Sequence, residues 1–298
     1  MTGIICLYKP KGITSFSAVN KLRKIIGEKK AGHTGTLDPM ATGVLPIVFS
    51  HATRFIELLP THKKEYKAKI RLGITTDTLD ITGEVIKKQE VNVTKEEILK
   101  AVNSFMGEIE QTPPMYSAIK KGGIRLYELA RKGEEIERES RKITIFSIKA
   151  YDFSAEEFTL EVECSAGTYI RSLADDIGKI LGCGAVLTEL ERTSANGFKL
   201  EDCYTFEEIS ALYESGEIIK AFKNVDNCLD WYDKINVTDK QSVRFKNGGG
   251  LMLSRIENPK EVGYYRVYSP KDEFLGIGEI KQGSEELSVK RVFVGDEN

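Results

Sequence analysis

Residues 66–72 read Tyr-Lys-Ala-Lys-Ile-Arg-Leu, and their two-residue period decides the fold class. Tyr66, Ala68, Ile70 and Leu72 fall on one side, with Lys67, Lys69 and Arg71 on the other. That is a strand with one face buried and one face wet. Upstream, residues 3–8 form a short apolar strand that stops at the turn Lys9-Pro10-Lys11-Gly12. Thr14 or Ser15 then caps a helix with Val19, Leu22, Ile25 and Ile26 at helical spacing, closed by Gly27. Residues 28–43 are a long Gly- and Thr-rich stretch without periodicity, and Ser50 is expected to cap a helix that Pro60 stops. Downstream, Thr94-Lys95-Glu96-Glu97 is a capping box for a helix to about Met106. Residues 143–153 and 158–164 read as paired strands. Thr168 is expected to cap a helix along Ile170, Leu173, Ala174, Ile177 and Leu181, ended by Gly182. A strand over 186–192 and a helix over 206–213 follow. From residue 231 only short strands are expected (264–268, 274–280, 287–294). The prediction is an α+β fold, a large mixed sheet followed by a small β-barrel-like tail.

The bulk properties bound the function. The chain has 298 residues, 41% hydrophobic and 30% charged, which fits a soluble protein with one large core and a small satellite. No apolar run nears the roughly 18 residues of a membrane span, so no membrane role is expected. The apolar start precedes its lysines instead of following them, which argues against an export signal. Five cysteines, odd in number and without a CxxC pair, suggest neither a disulfide framework nor a zinc site and fit a reducing cytoplasm. Net charge is only −2, yet residues 1–71 carry 13 Lys and Arg against 4 Asp and Glu. Such a basic quarter suits a face that meets phosphate, and equally a solvated lysine-rich surface.

Three segments can carry chemistry. Residues 32–46, GHTGTLDPMATGVLP, place Asp38 before Pro39, which holds its backbone extended. A bare Asp-Pro turn is the competing reading. The glycines match neither GxxxxGK[ST] nor GxGxxG, so they do not form a phosphate cradle. Residues 164–178, CSAGTYIRSLADDIG, put Tyr169 and Arg171 at a helix start, with Arg171 off the buried stripe. Arginine there opposes the helix dipole, so an acid elsewhere would explain it; ordinary surface placement is the alternative. Asp175 and Asp176 read as a solvated helix face. Residues 113–133, PPMYSAIKKGGIRLYELARKG, interleave Lys120, Lys121, Arg125, Arg131 and Lys132 with Tyr116 and Tyr127. That composition suits phosphates and stacked bases, or a mobile loop with a solvated helix. The three histidines (33, 51 and 62) have no metal-ligand spacing, and no nucleophile elbow, Cys–His signature or nucleotide fold is visible.

Together these segments resemble the TruB family of tRNA pseudouridine synthases. The resemblance runs from residue 3 to about 202 and rests on six segments in order: Tyr8 to Gly12, 32–46, the strand opening at Tyr66, 113–133, 164–178 and 187–193. It implies a pseudouridine synthase catalytic domain over 1–228, with a mainly antiparallel sheet flanked by helices, and a PUA-type RNA-binding domain over 229–298. It implies isomerisation of the uridine at position 55 of the tRNA T-loop to pseudouridine, without metal or cofactor, by base flipping. Asp38 matches the catalytic aspartate and Arg171 its arginine partner. Tyr66, Tyr169 and Leu190 match residues around the base, and His33 and Lys9 match RNA-side residues. Lys120 and Arg125 are further candidates for RNA contact. The partner is then the T-stem-loop of a cytoplasmic tRNA, met by a monomer. Two rivals remain: a non-catalytic RNA-binding protein, and a carboxylate glycosidase or nucleoside hydrolase, which usually needs two carboxylates where the loop supplies one.

Overall fold

The computed structural model describes residues 1–60, 63–257 and 261–295; His62 lies outside them. The chain begins with β1 (Gly3–Lys9), α1 (Ser15–Ile26), β2 (Ala31–His33), β3 (Thr42–Phe49) and β4 (Lys63–Leu72). A small hairpin of β5 (Ile74–Thr76) and β6 (Val85–Lys88) precedes α2 (Lys95–Asn103) and β7 (Gly107–Gln111). Next come β8 (Lys120–Lys121), β9 (Ile124–Arg125), the short α3 (Leu126–Ala130), β10 (Arg141–Tyr151) and β11 (Glu157–Ser165). Then follow α4 (Ile170–Ile180), β12 (Ala185–Ala195), β13 (Phe198–Lys199) and α5 (Phe206–Glu214). The C-terminal part holds β14 (Lys234–Asn236), α6 (Asp239–Lys246), β15 (Leu251–Met252), β16 (Gly263–Tyr268), β17 (Phe274–Ile280) and β18 (Glu286–Val292).

Nine strands make the main sheet, in the order β1-β3-β12-β4-β11-β10-β7, with β2 on β3 and β13 on β12. Its pairings are antiparallel except β3 with β12. The alternation of 66–72 sets the register: Ala68 faces Leu190 on β12 and Leu160 on β11. The apolar side of β4 enters a core built with α1, α2, α4 and α5. On β1 and β3 the opposite face is also buried, packing Ile4, Val44 and Val48 against Phe55 and against Ile277 and Phe274 of the C-terminal sheet. That second sheet, β14-β16-β17-β18-β15, encloses its own cluster around Phe245, Val267 and Leu275. The architecture is α+β with a mixed main sheet, as expected.

The structure corrects several local expectations. Residues 42–49 form a central strand hidden by the interior Pro46. Pro46 sits where the second edge of β3 passes from β12 (at Thr42 and Gly43) to β2 (at Ile47 to Phe49), so its missing N–H interrupts no ladder. Ser50 caps nothing: it opens a 3₁₀ helix, Ser50–Leu58, from a φ of 53°. Thr168 donates its hydroxyl to Ser165 O instead of capping α4, whose N-cap position is Tyr169. The tail contains α6 as well as strands. Asp175, expected in solvent, is buried and paired with Lys179 at 2.6 Å.

Gly43 shows how tightly the site's frame is drawn. It sits at φ +99°, opposite Lys9 on β1 and Arg192 on β12, and a Cβ there would strike the Arg192 backbone carbonyl. Gly43→Ala combines a left-handed backbone with a clash that no side-chain motion relieves. We expect about 3 kcal/mol or more of lost stability, read from the denaturant midpoint. A loss below 1 kcal/mol would show that the β3–β12 junction yields.

Candidate active site

Asp38 projects from a loop between β2 and β3 that is pinned along its length. The Ser15 hydroxyl donates to Leu37 O (3.1 Å) and accepts from the Leu37 N–H (2.8 Å). The Gly12 N–H donates to Pro39 O (2.7 Å), and the Ala41 N–H closes a turn on Asp38 O (3.1 Å). Arg192, fully buried, donates to Val44 O (2.8 Å), Gly35 O (3.1 Å) and Thr36 O (3.3 Å). With its backbone so held, Asp38 leaves about a third of its side chain (31%) open to solvent.

Arg171 meets it from the first turn of α4. Its Nε donates to Asp38 Oδ2 (2.8 Å) and its Nη2 to Asp38 Oδ1 (3.1 Å), a bidentate pair across 133 residues of sequence. The same guanidinium donates to Thr78 O (2.9 Å) and Tyr116 O (2.8 Å) and is only 4% exposed. The surface reading of Arg171 is therefore excluded. Next to Thr78, Leu79 adopts a φ of 62°, at a cost of about 1–2 kcal/mol. A second carboxylate, Asp80, lies 3.9 Å from Arg171. It is buried and already accepts from the Thr78 hydroxyl (3.0 Å) and the Thr82 N–H (2.9 Å). Of the two acids at Arg171, only Asp38 is open to a reactant.

Tyr66 and Leu190 lie in the same core, each 7% exposed, with Leu37 and Met40 of the loop. Burial pushes the Tyr66 phenol above its ordinary range, against the opposing Arg192 guanidinium. Tyr66 is thus a neutral phenol at neutral pH. Tyr169 is fixed by Gln111, whose side-chain oxygen accepts from the Tyr169 N–H (2.8 Å) and whose amide donates to Tyr169 O (3.0 Å). The Tyr169 ring lies under the Arg141 guanidinium, 5.0 Å from its centroid.

Lys9 is a correction. Expected on the RNA side, it is fully buried, and its ammonium donates to Pro10 O (2.9 Å), Ile13 O (2.8 Å) and, at 3.4 Å, Pro39 O. Burial lowers it to about 8, with Asp38 opposing that fall. It braces the loop from beneath and presents no surface to RNA. Lys120 and Arg125 stay outside the site, exposed on the β8–β9 hairpin. Their segment still reaches the site through Tyr116 O. His33, on β2, has its ordinary value lowered by burial and by Arg192 and Lys64. Beside the loop, a depression of about 490 Å³ is lined by Lys11, Met40, Thr42, Lys67, Lys69 and Leu190, among others.

Sequence reading missed Gln111, Asp80 and Arg192. For Arg192 a signal existed: it shares with Leu190 the buried face of a strand, where a charge demands partners. Asp80 and Gln111 lack any such local mark.

The N-terminal model of the TruB family of pseudouridylate synthases matches residues 23–170. Two C-terminal models of the same family match 171–229 and 234–293. A "tRNA pseudouridine synthase B" of Clostridium acetobutylicum is 44% identical over 283 residues, covering 95% of this chain and 96% of the relative. The chain belongs to the TruB family. Another TruB relative, from Ectopseudomonas mendocina and of the same name, is 40% identical and covers 98% of this chain and 96% of its own length. Among solved structures, a chain of a Cbf5–Nop10–Gar1 complex overlays with a TM-score of 0.76 at 29% identity, covering 98% of this chain and 85% of that one. A chain of an H/ACA RNP bound to a substrate RNA containing 2′-deoxyuridine overlays at 0.75 and 26% identity, covering 99% and 86%. As a TruB member the protein is a pseudouridine synthase, an isomerase.

Proposed function

We propose that the protein isomerises uridine 55 in the tRNA T-loop, with Asp38 as the reacting carboxylate. The observation that carries this reading is the Asp38–Arg171 pair, an acid held rigidly at both oxygens yet open to the cleft. The reaction breaks N1–C1′, forms C5–C1′ and in net moves one proton from C5 to N1, so atoms and electrons balance within the nucleotide. An ionised carboxylate serves each available route: attack at C1′, attack at C6, or removal of the C2′ proton. Arg171, bonded to both of its oxygens, fixes its direction. The base must leave its stack, at a few kcal/mol, and the apolar surface of Tyr66 and Leu190 receives it. As a neutral phenol, Tyr66 suits a wall and hydrogen-bond partner more than a base. Asp80, sealed by Thr78 and Thr82, cannot supply the second acid of a glycosidase.

In the same reading residues 1–228 form the catalytic domain and 229–298 a PUA-like RNA-binding domain. The protein acts as a cytoplasmic monomer, with tRNA as its partner. Tyr169 and His33 contact the nucleotide, and the exposed Lys120 and Arg125 meet the RNA backbone. The relatives' names, which specify tRNA, support this substrate.

The test is incubation with unmodified tRNA transcript followed by carbodiimide-stop mapping. We expect one new stop, at T-loop uridine 55, absent when that position is cytidine. No stop there overturns the reading; release of free uracil would identify a hydrolase.

A further inference from the structure

Beside the Asp38 loop, three basic side chains from three strands converge, with no acid among the described residues paired to them. His33 comes from β2, Lys64 from β4 and Arg192 from β12. Lys64 and Tyr66 stand two residues apart on β4 and share its face, and Arg192 lies directly opposite Tyr66. The Lys64 ammonium sits 3.0 Å from where a Cβ on Gly35 would be, and Arg192 Nη1 lies 3.7 Å from that same point. Arg192 is engaged by three loop carbonyls. The Lys64 ammonium makes no hydrogen bond or ion pair among the described residues. His33 Nδ1 is buried and also without a partner among them.

This arrangement is costly. Burial and the Arg192 charge lower Lys64 to about 8, with Cys164 opposing weakly from β11, and the same surroundings lower His33. Half-buried cations facing one another persist where an anion completes them. Gly35 is three residues from Asp38, at most about 10 Å of chain, so one nucleotide can touch both. The missing side chain at Gly35 leaves the ammonium room beside the backbone.

We propose that Lys64, backed by His33 and Arg192, seats the phosphodiester of the nucleotide whose base enters between Tyr66 and Leu190. This rests on the reading of the protein as an RNA isomerase. Lys64 supplies the contact, and Arg192 acts through the Gly35 and Thr36 carbonyls to keep the seat at a fixed distance from Asp38. The anion then offsets the repulsion, and nucleotide position becomes coupled to nucleophile position.

The experiment measures affinity for a T-arm RNA against salt, for wild type, Lys64→Met and Lys64→Arg. With RNA carrying one neutral methylphosphonate, 5′ or 3′ of the target uridine, it becomes a double-mutant cycle. Lys64→Met should weaken binding about 10-fold or more and reduce the slope of log affinity against log salt by about one, as expected for one lost phosphate contact. Lys64→Arg should keep the slope. One of the two methylphosphonates should weaken wild type by a similar factor and Lys64→Met by little more. Additive losses, an unchanged slope, or indifference of wild type to both methylphosphonates would overturn the proposal, the last without any variant having to fold.

Stability gives a second readout. With a folded value near 8 and an unfolded value near 10.5, the unfolded chain holds more protons between those limits. The Lys64 penalty is therefore full below pH 8 and fades towards pH 10, so Lys64→Met should unfold at a higher midpoint than wild type at pH 7, the gap closing by pH 10. A variant less stable at pH 7 would mark Lys64 as structural and overturn the seat. The two readings separate cleanly. A phosphate effect with no pseudouridine at position 55 sinks only the uridine-55 assignment, and pseudouridine made with no phosphate effect sinks only this one.

Discussion

Asp38→Asn is expected to lower single-turnover pseudouridine formation by about 10⁴-fold or more while T-arm RNA still binds within about threefold of wild type. The amide is isosteric with the carboxylate, so the loop clamps at Ser15, Gly12 and Arg192 are untouched. Arg171 loses its anionic acceptor but keeps Thr78 O, Tyr116 O and the neighbouring charge of Asp80. The stability loss should accordingly stay near 1–2 kcal/mol, reduced by the solvent that already reaches Asp38. What disappears is the open carboxylate held by Arg171, which in this reading each route through C1′, C6 or C2′ uses. Rapid-quench digestion with nucleoside chromatography reads the rate, and filter binding reads the affinity. A variant that retained a tenth of the rate would remove Asp38 from the chemistry. One that lost rate and binding in equal measure would make it an RNA contact.

How far the sequence led depended on the range of the interactions involved. The alternation at 66–72, the capping box at Thr94 and the left-handed Gly27 are local, and each formed where expected. Helix α6 went unread because only Ser242 and Phe245 are buried on it, although Thr238 and Gln241 form a legible capping box. Strand β3 was obscured by a proline whose position is harmless only because the neighbouring strands change there. The Asp38–Arg171 pair joins residues 133 apart, and no local pattern can encode it. The loop and the helix start marked the two residues, the resemblance paired them, and the geometry supplied the reason they belong together. Lys9 shows the opposite case. A lysine in a basic opening segment reads as a surface charge, yet three carbonyls hold it inside the fold. Lys64 became visible only once β12 and β4 were side by side.

Arg171→Met should be the more damaging change for the fold. Its guanidinium joins three chain segments: the Asp38 loop, the turn that holds Thr78 and, at 3.9 Å, Asp80, and Tyr116. Removing it leaves two carboxylates near each other without their cation and two carbonyls without their donor. Breaking a fully buried pair costs roughly 3–5 kcal/mol, and the partial exposure of Asp38 reduces that to about 2–3 kcal/mol here. The rate should fall by about 10³-fold, because the carboxylate that remains is no longer directed by a partner. Arg171→Lys should recover little of either loss, since one ammonium cannot reach both Asp38 oxygens and two carbonyls in a planar fork. Urea midpoints and single-turnover rates of Asp38→Asn, Arg171→Met and the double variant complete the argument. If the pair acts as a unit, the double variant is hardly slower than Asp38→Asn alone. Rate losses that simply multiplied would mean that Arg171 serves the fold or the RNA independently of Asp38, and the pair would lose its place at the centre of the mechanism.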